Sequence, residues 1–408
     1  MCLCAGRSRA LLSAVLLSLT AGSATGGSFD RKIGELDEQL IFVVPRDAIP
    51  ALTNPELLSA AAASLNSGEV GQAYLDDSDR VLGVEHNGMA RAYPLNLGWW
   101  HEVINDRFND DFISVTYCPL TGTGLVFAAN DTAGDGNTQI ELGVSGLLLN
   151  SNLVLYDRRD DRSLYPQMTY IGLVGDHRDE SLQLLPVVET TWGLWQQMHP
   201  DTQVPRFGSG LSRYSDRVQG KYGDVDRFLE SAGGYPYDTY RTDDDIYFPV
   251  TTSAPDLSAF SAKDVVLGIC LDRAARAYPF GRMPHAAVIN DRVASTDVVI
   301  LFDERSRTAI PYERRVAGQL LRFYAVDIDG HVINDGLPFE FADMETGTRW
   351  NLLGQAVAGP LQGHRLTQVP AYNSMWFAWS TYWPETSVWE IGDGIIKAPV
   401  PQTAVLEP

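Results

Sequence analysis

The strongest constraint in this chain is a repeat. The run VLGVEHNGMARAYP at residues 81–94 returns as VLGICLDRAARAYP at 266–279, an offset of 185 positions. The same offset relates VINDR at 103–107 to VINDR at 288–292, and the apolar segment ISVTY at 113–117 to VVILF at 298–302. Further on, TWGLWQQMHPDT at 191–202 is echoed, one residue out of register, by MWFAWSTYWPET at 375–386. Matches kept in the same order over so much chain predict a tandem duplication.

Each unit reads as a hairpin, a connector, a strongly apolar strand, further strands and a short closing helix. Asn87-Gly88 is a favoured hairpin turn between short strands at 81–84 and 90–93. A helix is predicted over 54–63, with Asn54 as N-cap, Pro55 at its first position and Glu56 complementing the dipole. Later strands are expected at 140–144 and 147–156. The closing helix of the first unit places Trp192, Trp195 and His199 on one face before Pro200; the second places Trp376, Trp379 and Trp383 alike. An aromatic stripe at helical spacing reads as core. The Asp/Asn/Gly run at 130–137 has the composition of a calcium loop but lacks its terminal Glu at the required spacing, so it reads as a hairpin loop. The expected fold is α+β and β-rich: two homologous antiparallel units, each with short helices, in a pseudo-twofold arrangement.

Among 408 residues, 52 are acidic and 31 are Lys or Arg, a formal net charge of −21. That argues against a nucleic-acid partner, which needs clustered basic groups. Arg7 and Arg9 precede a short apolar run at 10–19 and small residues to Ala24, a secretory pattern too short to span a bilayer. Cleavage near Ala24 would release an extracytoplasmic protein, periplasmic or secreted, with no transmembrane segment. It would also remove Cys2 and Cys4, leaving Cys118 and Cys270, whose pairing spacing alone does not decide. The expected divisions are a signal peptide at 1–24, a first repeat at 25–203, a connecting strap at 204–264 rich in Tyr, Gly and Asp, a second repeat at 265–400 and a tail at 401–408.

The second copy serves as an internal control on the first. Cys118 falls on Asp303, His101 falls on Ala286, and the Pro-Leu-Thr-Gly-Thr-Gly turn after Cys118 has no counterpart. Residues needed only for the fold should recur, so the first copy is the better candidate for a site. Cys118 has three readings. It is an inert buried residue, a soft ligand for copper or zinc alongside His101, or a nucleophile with His101 as base and Asp106 or Glu102 as orienter. Gly122 and Gly124 would let backbone N–H groups approach an oxyanion. Ser145, in Gly-Val-Ser-Gly, lacks nucleophile-elbow spacing; with Thr121, Asn152 and Asp157 it is a candidate pocket-lining residue, Asn152 and Asp157 also suiting turn chemistry.

Several blocks together resemble the signatures of a bacterial and archaeal family known as domain of unknown function 3179. They are YPL at 93–95, HEVIND at 101–106, VTYCPL at 115–120, GVSG at 143–146, NSNLVLYD at 150–157 and SLYPQ at 163–167. The likeness covers most of 75–205 and, more weakly, 260–390. It implies a secreted or envelope location and assigns no activity. Where the family has Cys-Pro-Leu-Cys this chain has Thr121 in the second position, which counts against dithiol redox chemistry and a two-thiolate metal site. Two functions follow as expectations. One is a Cys/His-centred pocket that binds a metal or performs thiol-dependent chemistry on a small molecule. The other is a non-catalytic scaffold whose aromatic strap and acidic face engage a glycan, a protein or another envelope component.

Overall fold

The computed structural model describes residues 40–64, 74–131, 138–206, 235–250, 260–272, 274–326 and 340–397. The segment expected as a signal peptide, the centre of the Asp/Gly loop, much of the strap and the tail lie outside the described residues.

The first half begins with β1 (Leu40–Phe42), β2 (Leu52–Thr53), β3 (Leu57–Ser59) and a single helical turn α1 (Ala60–Ala63). The expected helix over 54–63 is therefore reduced to its last residues. Asn54 adopts φ 46° and its N–H donates to the Asn105 carbonyl, so the chain there runs along a neighbouring strand; Ser59, not Asn54, caps the helix. A hairpin follows, β4 (Arg80–His86) and β5 (Met89–Pro94), turning through Asn87 and Gly88, both at positive φ as a two-residue turn of this hand demands. The region expected as a connector is a helix, α2 (Leu95–His101), leading into β6 (Val103–Phe108). Next come β7 (Asp111–Cys118), β8 (Thr123–Ala128), β9 (Leu142–Leu149) and β10 (Asn152–Asp157). The strand expected across 147–156 is broken at Asn150 and Ser151, both in the left-handed region, which fold it into a hairpin. The half ends with β11 (Leu164–Pro166), β12 (Gln183–Leu185), β13 (Val188–Thr191), α3 (Trp192–Met198) and β14 (Gln203–Pro205). Three sheets result, ordered β1-β9-β10-β11, β12-β8-β7-β6-β2 and β13-β4-β5-β14-β3.

The second half comprises β15 (Val265–Leu271), β16 (Ala274–Pro279), β17 (Ala286–Val293), β18 (Thr296–Asp303) and β19 (Thr308–Glu313). It continues with β20 (Arg315–Val316), β21 (Gln319–Leu320), β22 (Phe323–Ala325), β23 (Phe341–Asp343), β24 (Arg349–Trp350) and β25 (Ala356–Ala358). β26 (Tyr372–Met375), α4 (Trp376–Tyr382) and β27 (Ser387–Val388) close it. Its larger sheets run β26-β15-β16-β27, β17-β18-β19 and β22-β23-β24-β25. Strands predominate and the helices are short.

Particular contacts recur between the halves. Tyr93 donates to Asp106 at 2.7 Å, and Tyr278 to Asp291 at 3.0 Å. Asn105 clamps the backbone of Leu142 through both side-chain atoms, as Asn290 clamps Phe323. Trp195 and Trp379 donate to Thr202 and Thr386. Each of these indoles lies against a glycine where a Cβ would meet the ring, at 2.2 Å for Gly83 and 2.0 Å for Gly268. Trp192, Trp195, Trp376 and Trp379 are buried, so the stripes are core. The core itself is shared: Val115 and Val126 of the first half pack in one apolar cluster with Val288, Leu301 and Tyr312 of the second. Among the described residues no helix is long and apolar enough to cross a membrane.

Candidate functional site

β7 delivers Cys118 to its last position, paired with Thr123 across the turn, which closes through a bond from Gly122 N–H to the Cys118 carbonyl. Gly122 sits at φ 63°, which requires a glycine-like residue; Gly124 is needed instead because Leu82 packs where its side chain would be. Cys118 is 1% exposed, in a cluster with Leu120, Leu153 and Met375. Its thiol makes a weak contact to the Ser151 carbonyl at 3.9 Å. Burial, then the nearby Glu102 charge, push it up to about 11, so it stays a thiol at neutral pH. Cys118 and Cys270 are both free.

His101 ends α2 and is buried, its Nδ1–H donating to the Pro50 carbonyl at 2.8 Å. Burial pushes it down to about 4. It is thus neutral, with its lone pair on Nε2. Asp106 is held by Arg91 at 2.8 Å and by the Tyr93 hydroxyl, an arrangement Asp291 repeats with Arg276 and Tyr278. Its role is to tie β5 to β6, and it recurs in the half that has no cysteine at the matching position.

Beside Cys118 lies a polar network closed on itself. Asn152 Nδ2 donates to Thr121 (2.8 Å), Thr123 (3.1 Å) and Gln167 Oε1 (2.9 Å). Gln167 Nε2 donates to Thr116, and Thr123 donates to Gln167 Oε1. All five side chains are fully buried. Of the four residues expected to line a pocket, Thr121 and Asn152 meet here. The other two do not: Ser145 bonds the Val154 carbonyl and the Leu147 N–H at an irregularity of the β9–β10 pair, and Asp157 binds Arg159 at 2.6 Å.

Glu102, read from the sequence only as an alternative orienter for His101, helps roof this centre with groups from the strap and the second half. Glu102 caps α2 in the left-handed region, φ 55° and ψ −29°, and burial pushes its carboxyl up to about 8. From the strap, the Tyr235 hydroxyl donates to the Pro119 carbonyl at 2.6 Å, and the Ser151 hydroxyl donates to the Phe248 carbonyl at 2.6 Å. The second half contributes Met375, whose N–H donates to the Thr121 carbonyl, and Tyr382, which donates to the Leu149 carbonyl. The aromatic composition of the strap was the available signal; its target was not visible without the fold.

A family model described as a protein of unknown function (DUF3179) matches residues 46–386, a span that takes in both halves and the strap. The chain belongs to the DUF3179 family. No curated protein and no solved structure matches it. Among the described residues of this DUF3179 chain, no three His, Cys, Asp or Glu side chains are grouped to hold a metal ion. A separate surface groove of about 470 Å³ is lined by His86, Asp111, Asn130, Asp131, Arg159 and Glu180, among others. His86 Nε2 lies 2.8 Å from Asp111 there, a pair the sequence reading did not single out. None of the sequence-predicted site residues lines that groove.

Proposed function

We propose that the chain is an extracytoplasmic small-molecule-binding protein, built from two duplicated units in pseudo-twofold arrangement. Its site is the occluded polar centre around Cys118, and it binds rather than performs thiol chemistry. The supporting observation is the state of Cys118: enclosed, protonated, and set beside fully buried Thr, Asn and Gln side chains. A nucleophilic cysteine needs a lowered pKa and an accessible thiolate. Here burial acts in the opposite direction. A thiolate ligand for copper or zinc would likewise need this buried thiol to be deprotonated.

The second reading, a scaffold for an envelope partner, is favoured by the self-satisfied network, which joins β7, β8, β10 and the turn after β11 without outside help. A thermal-shift screen of neutral, anionic and cationic small compounds on wild type and Cys118→Ser separates the two. The expected result is a compound that stabilises the wild type and loses most of its shift in Cys118→Ser, with folding retained. A screen without any such compound leaves the scaffold. Stoichiometric copper or zinc in natively purified protein, lost in Cys118→Ser, would overturn the proposal in favour of a metal centre.

A further inference from the structure

The buried polar groups around Cys118 fall into two sets. Thr116, Thr121, Thr123, Asn152 and Gln167 satisfy one another, whereas two groups above them do not. The Glu102 side chain is nine-tenths buried or more and its carboxyl carries no hydrogen bond or ion pair among the described residues. The Tyr240 hydroxyl is fully buried and has no hydrogen-bond partner. Buried polar groups are nearly always paired, so each of these unpaired groups requires an explanation. A helix C-cap in the left-handed region ordinarily takes Gly or Asn, yet here it holds a glutamate.

The titratable and charged groups around Glu102 are its chain neighbour His101 on α2, which burial keeps neutral, Tyr93 on β5, Tyr117 and Cys118 on β7 and Tyr237 on the strap. Arg241 acts on Tyr117 from beyond them. The Glu102 charge acts on both Cys118 and Tyr237, while burial alone accounts for its own shift. Among the described residues no cation pairs with the carboxyl. The strap supplies a run of aromatic rings beside it: Tyr235 to Tyr237 at 5.8 Å between centroids, Tyr237 to Tyr240 at 6.3 Å, and Trp99 to Tyr235 at 5.5 Å. Two of these rings already carry cations, Arg241 at 4.5 Å over Tyr235 and Lys263 at 3.5 Å over Tyr240.

We infer that the strap, residues 235–250, closes over a site for a small organic cation, an amine or quaternary ammonium, with Glu102 as counter-charge, Tyr237 and Tyr240 as walls and Cys118 in the floor. This rests on the reading of the Cys118 centre as a binding site. A neutral ligand without hydrogen-bonding groups would leave the carboxyl as unpaired as before, and one with them would pair it without charging it. A cation is held by the carboxylate and by ring faces together, the combination that recognises ammonium groups. The void bordering Glu102 is about 10 Å³, room for no more than one water, so the described state is the closed one. Entry releases the Tyr235–Pro119 and Ser151–Phe248 hydrogen bonds that fasten the strap.

Cation binding must also expel a proton. Below about pH 8 the free carboxyl is mostly protonated, and a bound cation favours the carboxylate, so at pH 7 close to one proton leaves per ligand. The test is calorimetric titration of the whole protein at pH 7 with tetramethylammonium chloride, against near-isosteric, neutral tert-butanol. Two buffers of different ionisation enthalpy count the protons. The expected result is tetramethylammonium binding with release of nearly one proton, little binding of tert-butanol, and more than about tenfold weaker, proton-silent binding in Glu102→Gln. Equal binding of both probes, cation binding without proton release, or no cation binding overturns the inference. If a neutral compound still stabilises wild type and not Cys118→Ser, the cation inference alone falls; if no compound does, the binding reading falls with it.

Discussion

Glu102 and His101 are adjacent in sequence, both buried, and shifted so that each prefers its neutral form. The Glu102 carboxyl, raised to about 8, keeps its proton in the folded protein after the unfolded chain has lost it near the ordinary 4.5. Stability is thus fullest at low pH and falls as pH rises from about 4.5 to 8. His101, lowered from 6.5 to about 4, acts the other way: its contribution is intact above 6.5 and is lost as pH falls toward 4. Between 6.5 and 8 only Glu102 tilts the curve. Urea unfolding across that window should show wild type losing stability, on the order of a few kcal/mol at most, and Glu102→Gln staying nearly flat. A flat wild-type curve would contradict the burial of this carboxyl. The position of Cys118 at a strand end was legible in the sequence, because an apolar run stopping at Pro-Leu-Thr-Gly is a local signal. The role of Glu102 was not, because its roof comes from Tyr237, more than a hundred residues away, and no local pattern encodes that meeting.

At the level of elements, alternation and helical spacing carried the strong strands and the two Trp-bearing helices, while left-handed residues defeated the weaker readings. Asn54 reads as a helix cap and Asn150-Ser151 as strand interior, yet each turns the chain at positive φ. The polar network beside Cys118 was half legible: Thr121 and Asn152 were flagged, whereas Gln167 joins them only once β10 and the turn after β11 are assembled. Removing its central amide should be severe. Asn152→Ala strips donors from Thr121, Thr123 and Gln167 together, and a loss of about 2–4 kcal/mol is expected in chemical denaturation. A loss under half a kcal/mol, on the order of a surface substitution, would mean that the network rearranges freely. The glycine–indole contacts make a paired test of the repeat. Gly83→Ala and Gly268→Ala each drive a methyl into a buried ring and should each cost on the order of 2 kcal/mol or more. Sharply unequal effects would argue against equivalent packing in the two halves.

Across the whole molecule, the recurrence of motifs was legible because residue identities match between the two halves, but the way the halves combine was not. They share an apolar cluster, and polar links cross between them: Thr190 to Thr308 at 2.7 Å, Gln368 to the Val187 carbonyl, and Arg365 paired with Glu85. The Cys118 centre lies where the first half, the strap and the β26–α4 segment meet. Neither half should therefore fold alone. Expressed separately, residues 40–206 and 260–397 are expected to lack a cooperative unfolding transition, and to regain one when co-expressed. A cooperative, native-like isolated half would contradict a shared core.

The claim on which the rest depends is that Cys118 is an enclosed thiol in a binding centre and not a nucleophile. It is tested most directly by alkylating the native protein with iodoacetamide from pH 7 to 10 and following each cysteine by peptide mass spectrometry. The expected result is that Cys118 reacts more slowly than the half-buried Cys270 throughout and is labelled readily only after denaturation. Rapid labelling of Cys118 at pH 7, with a midpoint at or below the ordinary thiol value of about 8.5, would contradict it.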